Sequence, residues 1–343
     1  MADEATSAFY VSGFMDLSKY TLERTEPGAA WDKVVDDAPD GTIFSLSAFM
    51  EEMAATPALW LCRKANQPAG AVALAEDPTD PNRTILAPHI IHGGIMTARP
   101  PVRQNAAQAL AEQFRSIAAS FARLAEQYRD LRFTTAPALC DLRPVLWHNY
   151  GIDGPKPDLE LRYTSYLHLS RSRPDCPLEA SPLYPGCNKS RRQALRYALD
   201  TGIQVQQTRD LDAFLDLYHS TFARQGLNMA PGEAGFLRRV CTRLDRQGRL
   251  RIFAALTQDG TLGSMVVFGL DAKRAYYLYG ANAPSLRADH CGSMALFHAL
   301  HTLGNDGITE ADLEGVNSPK RGYFKLSFGG DLRPYFRVRL TRP

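Results

Sequence analysis

The order of apolar and polar positions predicts the same succession of elements twice along this chain. In the first half, short alternating or continuous apolar segments predict strands, and apolar positions spaced by three or four residues predict one long helix. We expect strands at 59–64, 71–76, 85–96 and 131–135, with the helix over 103–128 between the last two.

The second half repeats that order. The expected elements are strands at 251–257, 262–270 and 275–280, a helix over 291–304 and a strand over 308–315. In each half the last strand is followed by a basic, aromatic segment that we interpret as a loop. These segments are DLRPVLWHNYG (141–151) and KRGYFKLSFGG (320–330). The shared order and the similar chemistry of the two segments favour a tandem duplication.

Two more helices are predicted ahead of the second set of strands, over 188–202 and 210–226. Asp210 is a good N-cap for the later one. In the earlier one Arg192 and Arg196 are four residues apart, so their side chains should project from the same face.

A Pro- and Ser-rich segment, SRSRPDCPLEASPLYP (170–185), predicts an irregular connection between the halves. We therefore expect an N-terminal domain over 1–168, a linker over 169–186 and a C-terminal domain over 187–343. The C-terminal domain should carry the functional site, with the N-terminal domain supporting it or shaping a groove for a substrate.

The net charge of +2 is unevenly spread over the 343 residues. Residues 1–170 carry 15 basic against 21 acidic side chains, or −6, and residues 171–343 carry 24 against 16, or +8. The basic half fits either ordinary solvated faces or the binding of a polyanionic ligand.

The composition favours a cytoplasmic protein without a transmembrane segment. No apolar run approaches the ~20 residues that cross a bilayer, and the acidic N-terminus lacks a secretory pattern. The six cysteines are scattered without a C-x-x-C pair, which fits a reducing compartment. No histidine pair has an evident third ligand, so we expect no metal site.

Four segments of the second half carry a resemblance to a known family: SRRQALRYALDTG, YLYGAN, ADLEGV and YFKLSFGG. They resemble the Fem-type transferases, and the element order of both halves resembles the acyltransferase fold of the GCN5-related N-acetyltransferases (GNAT). The resemblance implies an α+β fold of two tandem GNAT-like domains, each a mixed, mostly antiparallel sheet flanked by helices. It also implies an acyltransferase, since Fem-type proteins add amino acids from aminoacyl-tRNA to cell-wall precursor peptides.

The donor-binding pattern departs from that of the acetyl-CoA enzymes, which carry Gln/Arg-x-x-Gly-x-Gly/Ala at the start of a helix. The corresponding segment DHCGSMA keeps Gly292, but Asp289 and Met294 replace the basic and the second small residue. This favours aminoacyl-tRNA slightly over acyl-CoA as the co-substrate, with no tightly bound cofactor. The residues expected at the donor are Gly280, Asn282, Gly292 and Ser293.

Lys325 is the strongest candidate for chemistry. Phe324 and Phe328 flank it, so its stem should be packed and its ammonium held in place. It could bind a phosphate or stabilise a tetrahedral oxyanion. Asp312 could accept the proton of the attacking amine, although Glu314 faces the same side of the predicted strand, and Tyr279 could protonate the leaving group.

The remaining candidates are polar, basic or aromatic residues expected to bind a substrate: Asn317, Arg321, Phe324, Phe328, Arg192 and Arg196. The expected acceptor is an amine on a small molecule, a sugar or a peptide precursor of the cell envelope, and tRNA is a possible partner. Two alternatives stay open: an acyl-CoA-dependent N-acetyltransferase acting on a sugar or metabolite amine, and a catalytically silent binding module. The sequence does not define the oligomeric state.

Overall fold

The computed structural model describes residues 16–53, 55–173, 176–224 and 230–343, with side chains at 222–224 left out. The acidic N-terminal segment, part of the predicted linker and the end of the helix predicted over 210–226 lie outside these residues. The chain divides into two compact units. The first comprises residues up to Arg162 together with Pro334–Pro343, and the second is Tyr163–Arg333.

The first unit is built on a mixed, mostly antiparallel sheet. Its elements along the chain are β1 (Tyr20–Thr25), α1 (Ala29–Asp37), α2 (Ser47–Met50), β2 (Thr56–Lys64), β3 (Gln67–Asp77), β4 (Asp80–Ile85), β5 (Gly94–Thr97), α3 (Ala106–Gln127), β6 (Asp130–Thr134), α4 (Arg143–Leu146) and the start of β7 (Asp158–His168). The strands β1, β2, β3, β4 and β6 are neighbours in that order, and β5 pairs with β3. Among the described strands of this unit, only β4 and β6 pair in parallel. The apolar face of α3, including Ile117, Phe121 and Leu124, is buried against the sheet.

The second unit has a sheet of the same kind. Its elements after β7 are α5 (Lys189–Asp200), β8 (Gln204–Thr208), α6 (Leu211–Arg224), α7 (Glu233–Arg246), β9 (Leu250–Leu256), β10 (Leu262–Leu270), β11 (Ala275–Asn282), α8 (Cys291–Asn305), β12 (Glu310–Asp312) and α9 (Pro319–Leu326). The last strand, β13 (Asp331–Thr341), belongs to the first unit from Pro334 onward. The strand order is β7-β12-β11-β10-β9-β8. In the part of this unit that the structure describes, only β11 and β12 pair in parallel. Leu296 and Leu300 of α8 are buried against Phe253 and Phe268 of the sheet. The predicted α+β class, with mixed sheets flanked by helices, is confirmed.

Each unit takes in a strand that follows the other unit's last helix. The strand β7 follows α4 along the chain, but its second part pairs antiparallel with β12, with Tyr166 opposite Asp312. The C-terminal strand β13 follows α9 and pairs antiparallel with β6, with Val338 opposite Phe133. The C-terminal residues from Pro334 therefore belong to the first unit, whereas the sequence analysis assigned them to the second domain.

Three local predictions need correction. The segment 85–96 is not one strand, because chain turns separate β4 from β5. The strand expected over 308–315 ends at Asp312. The segment 320–330 is not a loop, since α9 covers most of it. This helix has Ser318 at its N-cap position and Pro319 at its first turn, a start signal that the aromatic and basic residues concealed.

Candidate active site

The parallel strands β11 and β12 pair over a short length in the second unit and then separate. Their register contains two pairs, Ala275 with Ala311 and Tyr276 with Asp312. Beyond Tyr276, β11 continues to Asn282, while the chain after β12 turns to β7, where the N–H of Leu313 donates to Ser165 (2.9 Å). In the described part of the chain no strand pairs with this edge of β11 beyond Tyr276, and we call this place the gap.

Glu314 stands at the start of this gap. Its backbone is in the left-handed region, with φ of 58°, a conformation that a residue with a side chain adopts only when its surroundings hold it there. The backbone N–H donates to the carboxylate of Asp312 (2.7 Å). The side chain is 7% exposed, yet among the described residues its Oε1 has no hydrogen-bond partner. Burial raises the pKa of this carboxyl well above its ordinary value, and the positive charge of Lys325 opposes that shift.

Lys325 lies on the last turn of α9 and is half-buried. Its Nζ lies 5.4 Å from the centre of the Tyr277 ring, a cation–π distance. Burial lowers the pKa of Lys325, and the negative charge of Glu314, the strongest charge acting on it, opposes the shift. Lys325 and Glu314 are therefore electrostatic neighbours at the gap.

A β-bulge places Tyr277 over Gly280. Val267 of β10 is opposite Tyr279 and the next residue, Phe268, is opposite Tyr277, so Leu278 is an extra residue in β11. Bulges redirect side chains in this way, often beside active sites. As a result, a Cβ added at Gly280 would collide with the Tyr277 hydroxyl. Glycine is required here because the backbone and a tyrosine ring approach so closely.

Tyr279 is buried among other aromatic residues. Its ring centre lies 6.1 Å from that of Tyr218 and 6.3 Å from that of Phe214. Burial raises the pKa of the Tyr279 hydroxyl, so this group stays protonated over the ordinary pH range. It can donate a proton or a hydrogen bond, but an aromatic core position accounts for its packing equally well.

Asp312 is fully buried and committed to the protein itself. Its Oδ1 accepts hydrogen bonds from the Thr164 hydroxyl and from the N–H of Glu314. These contacts fix the chain where it leaves β12. Asp312, which the sequence predicts as the base, thus has structural contacts. In the neighbouring Glu314, Oε1 has no hydrogen-bond partner among the described residues.

The first turn of α8 contains two of the predicted donor residues, Gly292 and Ser293. A Cβ at Gly292 would collide with the side-chain oxygen of Asn282, so that side chain covers the glycine. The Asn282 N–H faces the Thr221 hydroxyl at 3.4 Å. Ser293 is buried and its Oγ accepts a hydrogen bond from Arg191. The structure therefore brings Gly280, Asn282, Gly292 and Ser293 to the end of β11 and the start of α8.

The two predicted aromatic residues flank an arginine. The guanidinium carbon of Arg191 lies 4.6 Å from the ring centres of both Phe324 and Phe328. Phe328 is 1% exposed and is closed to a ligand by this packing. The sequence predicts that both phenylalanines bind a substrate. Sequence reasoning missed Arg191, which is 9% exposed.

Four other predicted substrate residues are dispersed. Asn317 pairs with the backbone of Tyr163 through two hydrogen bonds of 2.8 Å, as a strand neighbour would. Arg192 lies 6.0 Å from the Tyr184 ring centre. Arg196 and Arg321 are exposed. Of these four, Arg321 is the one on α9, the helix that carries Lys325.

The described ranges contain neither a metal-binding cluster nor a membrane-spanning helix. No group of three or more His, Cys, Asp or Glu side chains in these ranges is arranged to hold a metal ion. None of their helices combines the length and apolar character needed to span a membrane.

Comparisons with known proteins agree with this geometry. Residues 187–329 match the family described as the acetyltransferase (GNAT) domain. No match was found among the curated proteins. The second unit thus contains a segment that matches a GNAT acetyltransferase domain, and this match supports an acyltransferase.

The fold of the whole chain is similar to several solved structures. FemX matches with a TM-score of 0.61 at 13% identity, covering 92% of this chain and 96% of FemX. The L-PGS structure from Bacillus licheniformis matches at 0.52 and 10% identity, over 93% of each chain. A tandem GNAT protein from the clavulanic acid biosynthesis pathway matches at 0.51 and 11% identity, over 94% of this chain and 98% of that one. The chain therefore has the tandem GNAT fold and is Fem-like in architecture.

Proposed function

We propose that this protein transfers an aminoacyl or acyl group from an activated ester or thioester to an amine, in the gap between β11 and β12. One observation carries the proposal. The buried carboxylate of Glu314, held in a left-handed backbone with one oxygen lacking a described partner, is the electrostatic neighbour of Lys325 where the strands part. A base and a cation at a sheet opening are what amide formation requires.

Each step of the proposed reaction is assigned to one of these groups. The neutral amine attacks the donor carbonyl, which lies along the free edge of β11 near Gly280. A C–N bond forms, and the carbonyl oxygen becomes an oxyanion that the Lys325 ammonium stabilises. Glu314 accepts the proton that the nitrogen loses, directly or through water. The C–O or C–S bond then breaks, and the leaving oxygen or sulfur takes a proton, for which Tyr279 is the candidate donor.

Glu314 suits the role of base better than Asp312. Its raised pKa brings it closer to the operating pH, which strengthens a carboxylate as a base. The cost of that burial is offset in part by Lys325. Asp312 acts as the support that holds Glu314 in place.

Aminoacyl-tRNA is the donor that we favour. Asp289 precedes the first turn of α8, Asn282 covers Gly292, and the Ser293 hydroxyl is engaged by Arg191. These features disfavour tight pyrophosphate binding at this helix start. The +8 charge of residues 171–343 suits a polyanion such as tRNA. Charged tRNA also fits a cytoplasmic enzyme whose acceptor is an amine on a cell-envelope precursor.

Acyl-CoA is the second candidate, and the match of residues 187–329 to an acetyltransferase family supports it. The N–H of Ser293 donates to the His290 carbonyl (2.9 Å), and the N–H groups ahead of it at the start of α8 suit a phosphate. An enzyme of this kind would act on a sugar or a metabolite amine.

One experiment separates these donors. The full chain is incubated with a panel of amino sugars and peptide amines and with either radiolabelled aminoacyl-tRNA or radiolabelled acetyl-CoA. A tRNA-dependent enzyme labels the acceptor only before ribonuclease treatment, and its donor binding weakens steeply with salt. A CoA-dependent enzyme is indifferent to ribonuclease. Glu314→Gln should strongly reduce labelling, and Arg251→Met should not, because the described side-chain hydrogen bonds of Arg251 go to the nearby carbonyls of Gly248 and Leu250. No labelling with either donor supports a silent binding module.

A further inference from the structure

Arg191 is a buried cation that the proposed chemistry does not use. It is 9% exposed, and burial lowers its pKa. No carboxylate among the described residues pairs with it. A buried charge without an opposite charge is costly for stability. The retention of a guanidinium here therefore calls for a function other than stabilising the fold.

The contacts of Arg191 join two elements of the candidate site. From its place on α5, its Nε donates to the Ser327 hydroxyl (2.9 Å), two residues after Lys325. Another guanidinium nitrogen donates to the Ser293 hydroxyl in the first turn of α8. A planar group with fixed donor directions sets both distance and angle, which a flexible ammonium does not.

The two phenyl rings complete this arrangement. Phe324 and Phe328 lie on opposite sides of Lys325 in sequence, and each ring centre is 4.6 Å from the Arg191 guanidinium carbon. Both rings pack beside the arginine, at 5.4 Å from one another. The backbone on either side of Lys325 is therefore tied to Arg191 through rings and through Ser327.

We propose that Arg191 is a positioning residue that fixes Lys325 relative to the donor end of α8. This rests on the proposed function for its catalytic meaning, but the structural claim can be tested alone. Loss of the arginine should loosen the C-terminal turn of α9. Lys325 would then gain water, its ammonium would be less desolvated, and it would no longer be held at the gap.

The first test measures Lys325 without any substrate. Trace acetic anhydride labels lysines as a function of pH, and mass spectrometry compares Lys325 with the exposed Lys189. In Arg191→Met and in Arg191→Lys we expect the pH of half-labelling of Lys325 to rise toward that of Lys189, since burial lowers its pKa in the native protein. Arg251→Met should resemble the wild type. If Lys325 titrates as in the wild type in both Arg191 variants, the proposal is wrong. If only Arg191→Met shifts it, the effect is one of charge and the positioning role is also wrong.

The second test uses transfer kinetics. Both Arg191 variants should lower kcat about 10- to 100-fold, the range expected when a catalytic group is misplaced by an ångström, with KM changed by less than about twofold. In a Lys325→Met background, Arg191→Met should cause no further loss. A full additional loss in that background would overturn a role through Lys325.

The outcomes also separate this inference from the proposed function. If the wild type transfers nothing from either donor, the function fails, and the labelling experiment still decides the role of Arg191. Thermal unfolding should give a Tm for Arg191→Met close to or above that of the wild type, because a buried charge has been removed. Should that variant not fold, Ser327→Ala removes one of the two hydroxyl contacts and carries the same labelling prediction.

Discussion

The carboxylate of Asp312 accepts a 2.7 Å hydrogen bond from the backbone N–H of Glu314. This bond spans the point at which the chain leaves β12, and it accompanies the left-handed backbone of Glu314. Two acidic residues two positions apart therefore have different tasks. One holds the turn, and the other presents a carboxylate to the gap.

Asp312→Ala should destabilise the protein strongly. It leaves the Glu314 N–H and the Thr164 hydroxyl without this buried acceptor, at about 1–3 kcal/mol for each unsatisfied group. Asp312→Asn keeps an oxygen acceptor, so it should cost less and retain most of the transfer activity. Urea denaturation and transfer rates measure both effects. A stable but inactive Asp312→Asn would instead make Asp312 the base.

Glu314→Gln should lower kcat about 10²- to 10⁴-fold, the usual contribution of general base catalysis. In the wild type, activity should rise with pH as Glu314 loses its proton, at a pH above the ordinary range of a glutamate because burial raises its pKa. The residual activity of Glu314→Gln should lack this acidic limb. An unchanged limb in the variant would assign it to another group.

The same carboxyl predicts a pH-dependent stability difference. Because the folded-state pKa of Glu314 is raised, its protonated form stabilises the fold below its unfolded pKa, and that contribution is lost as pH rises through the folded pKa. Glu314→Gln does not titrate. Its free energy of unfolding should therefore increase relative to the wild type as pH rises, and a constant difference from acidic to alkaline pH would contradict the raised pKa.

Lys325→Met should lower kcat about 10²- to 10³-fold, as the loss of an oxyanion-stabilising donor does. If the ammonium form is the active one, the wild-type rate should fall on the alkaline side below the ordinary pKa of lysine, since burial lowers the pKa of Lys325. The matched variant Lys320→Met, on an exposed residue of the same helix, should behave as the wild type. Equal losses in both would indicate general weakening of a cationic surface.

Gly280→Ala tests the position of the donor carbonyl. The added Cβ collides with the Tyr277 hydroxyl, and overpacking of this kind typically costs about 1–3 kcal/mol. Adding Tyr277→Phe removes the hydroxyl and should restore most of that stability. We expect the double variant to stay largely inactive, because the methyl group still lies beside Gly280, next to the proposed position of the donor. Recovery of activity along with stability would place the donor elsewhere.

The sequence predicts that Phe324 and Phe328 pack against Lys325, but both rings pack on Arg191, and the ring near the Lys325 ammonium is that of Tyr277. The catalytic role of Lys325 stays a prediction. The choice between Asp312 and Glu314 as the base could not be predicted from the sequence. Alternation places both on one side of a strand, but the strand ends at Asp312 and Glu314 has φ of 58°. The bulge at Leu278 could not be predicted from the sequence either, since it depends on the pairing with β10.

Helical periodicity along α5 points to Arg192 and Arg196, whose role in ligand binding stays a prediction, and not to Arg191. Arg192 and Arg196 share a face, and that pattern drew attention to them as ligand-binding residues, yet Arg196 is exposed and Arg192 packs near Tyr184. Arg191 is one residue earlier, on the face that also buries Leu195 and Ala198. An arginine among apolar positions at helical spacing was the available signal, because a charge placed there must meet buried partners.

The second unit's sheet contains β7, and the first unit's sheet contains β13. This arrangement also affects the order in which the two sheets can be completed during synthesis on the ribosome. A nascent chain that has emerged as far as α9 already contains every strand of the second unit's sheet, β7 included. The first unit, although translated earlier, still lacks the strand that pairs with β6 until residues 337–341 appear. The domain made first is thus the one whose sheet is completed last.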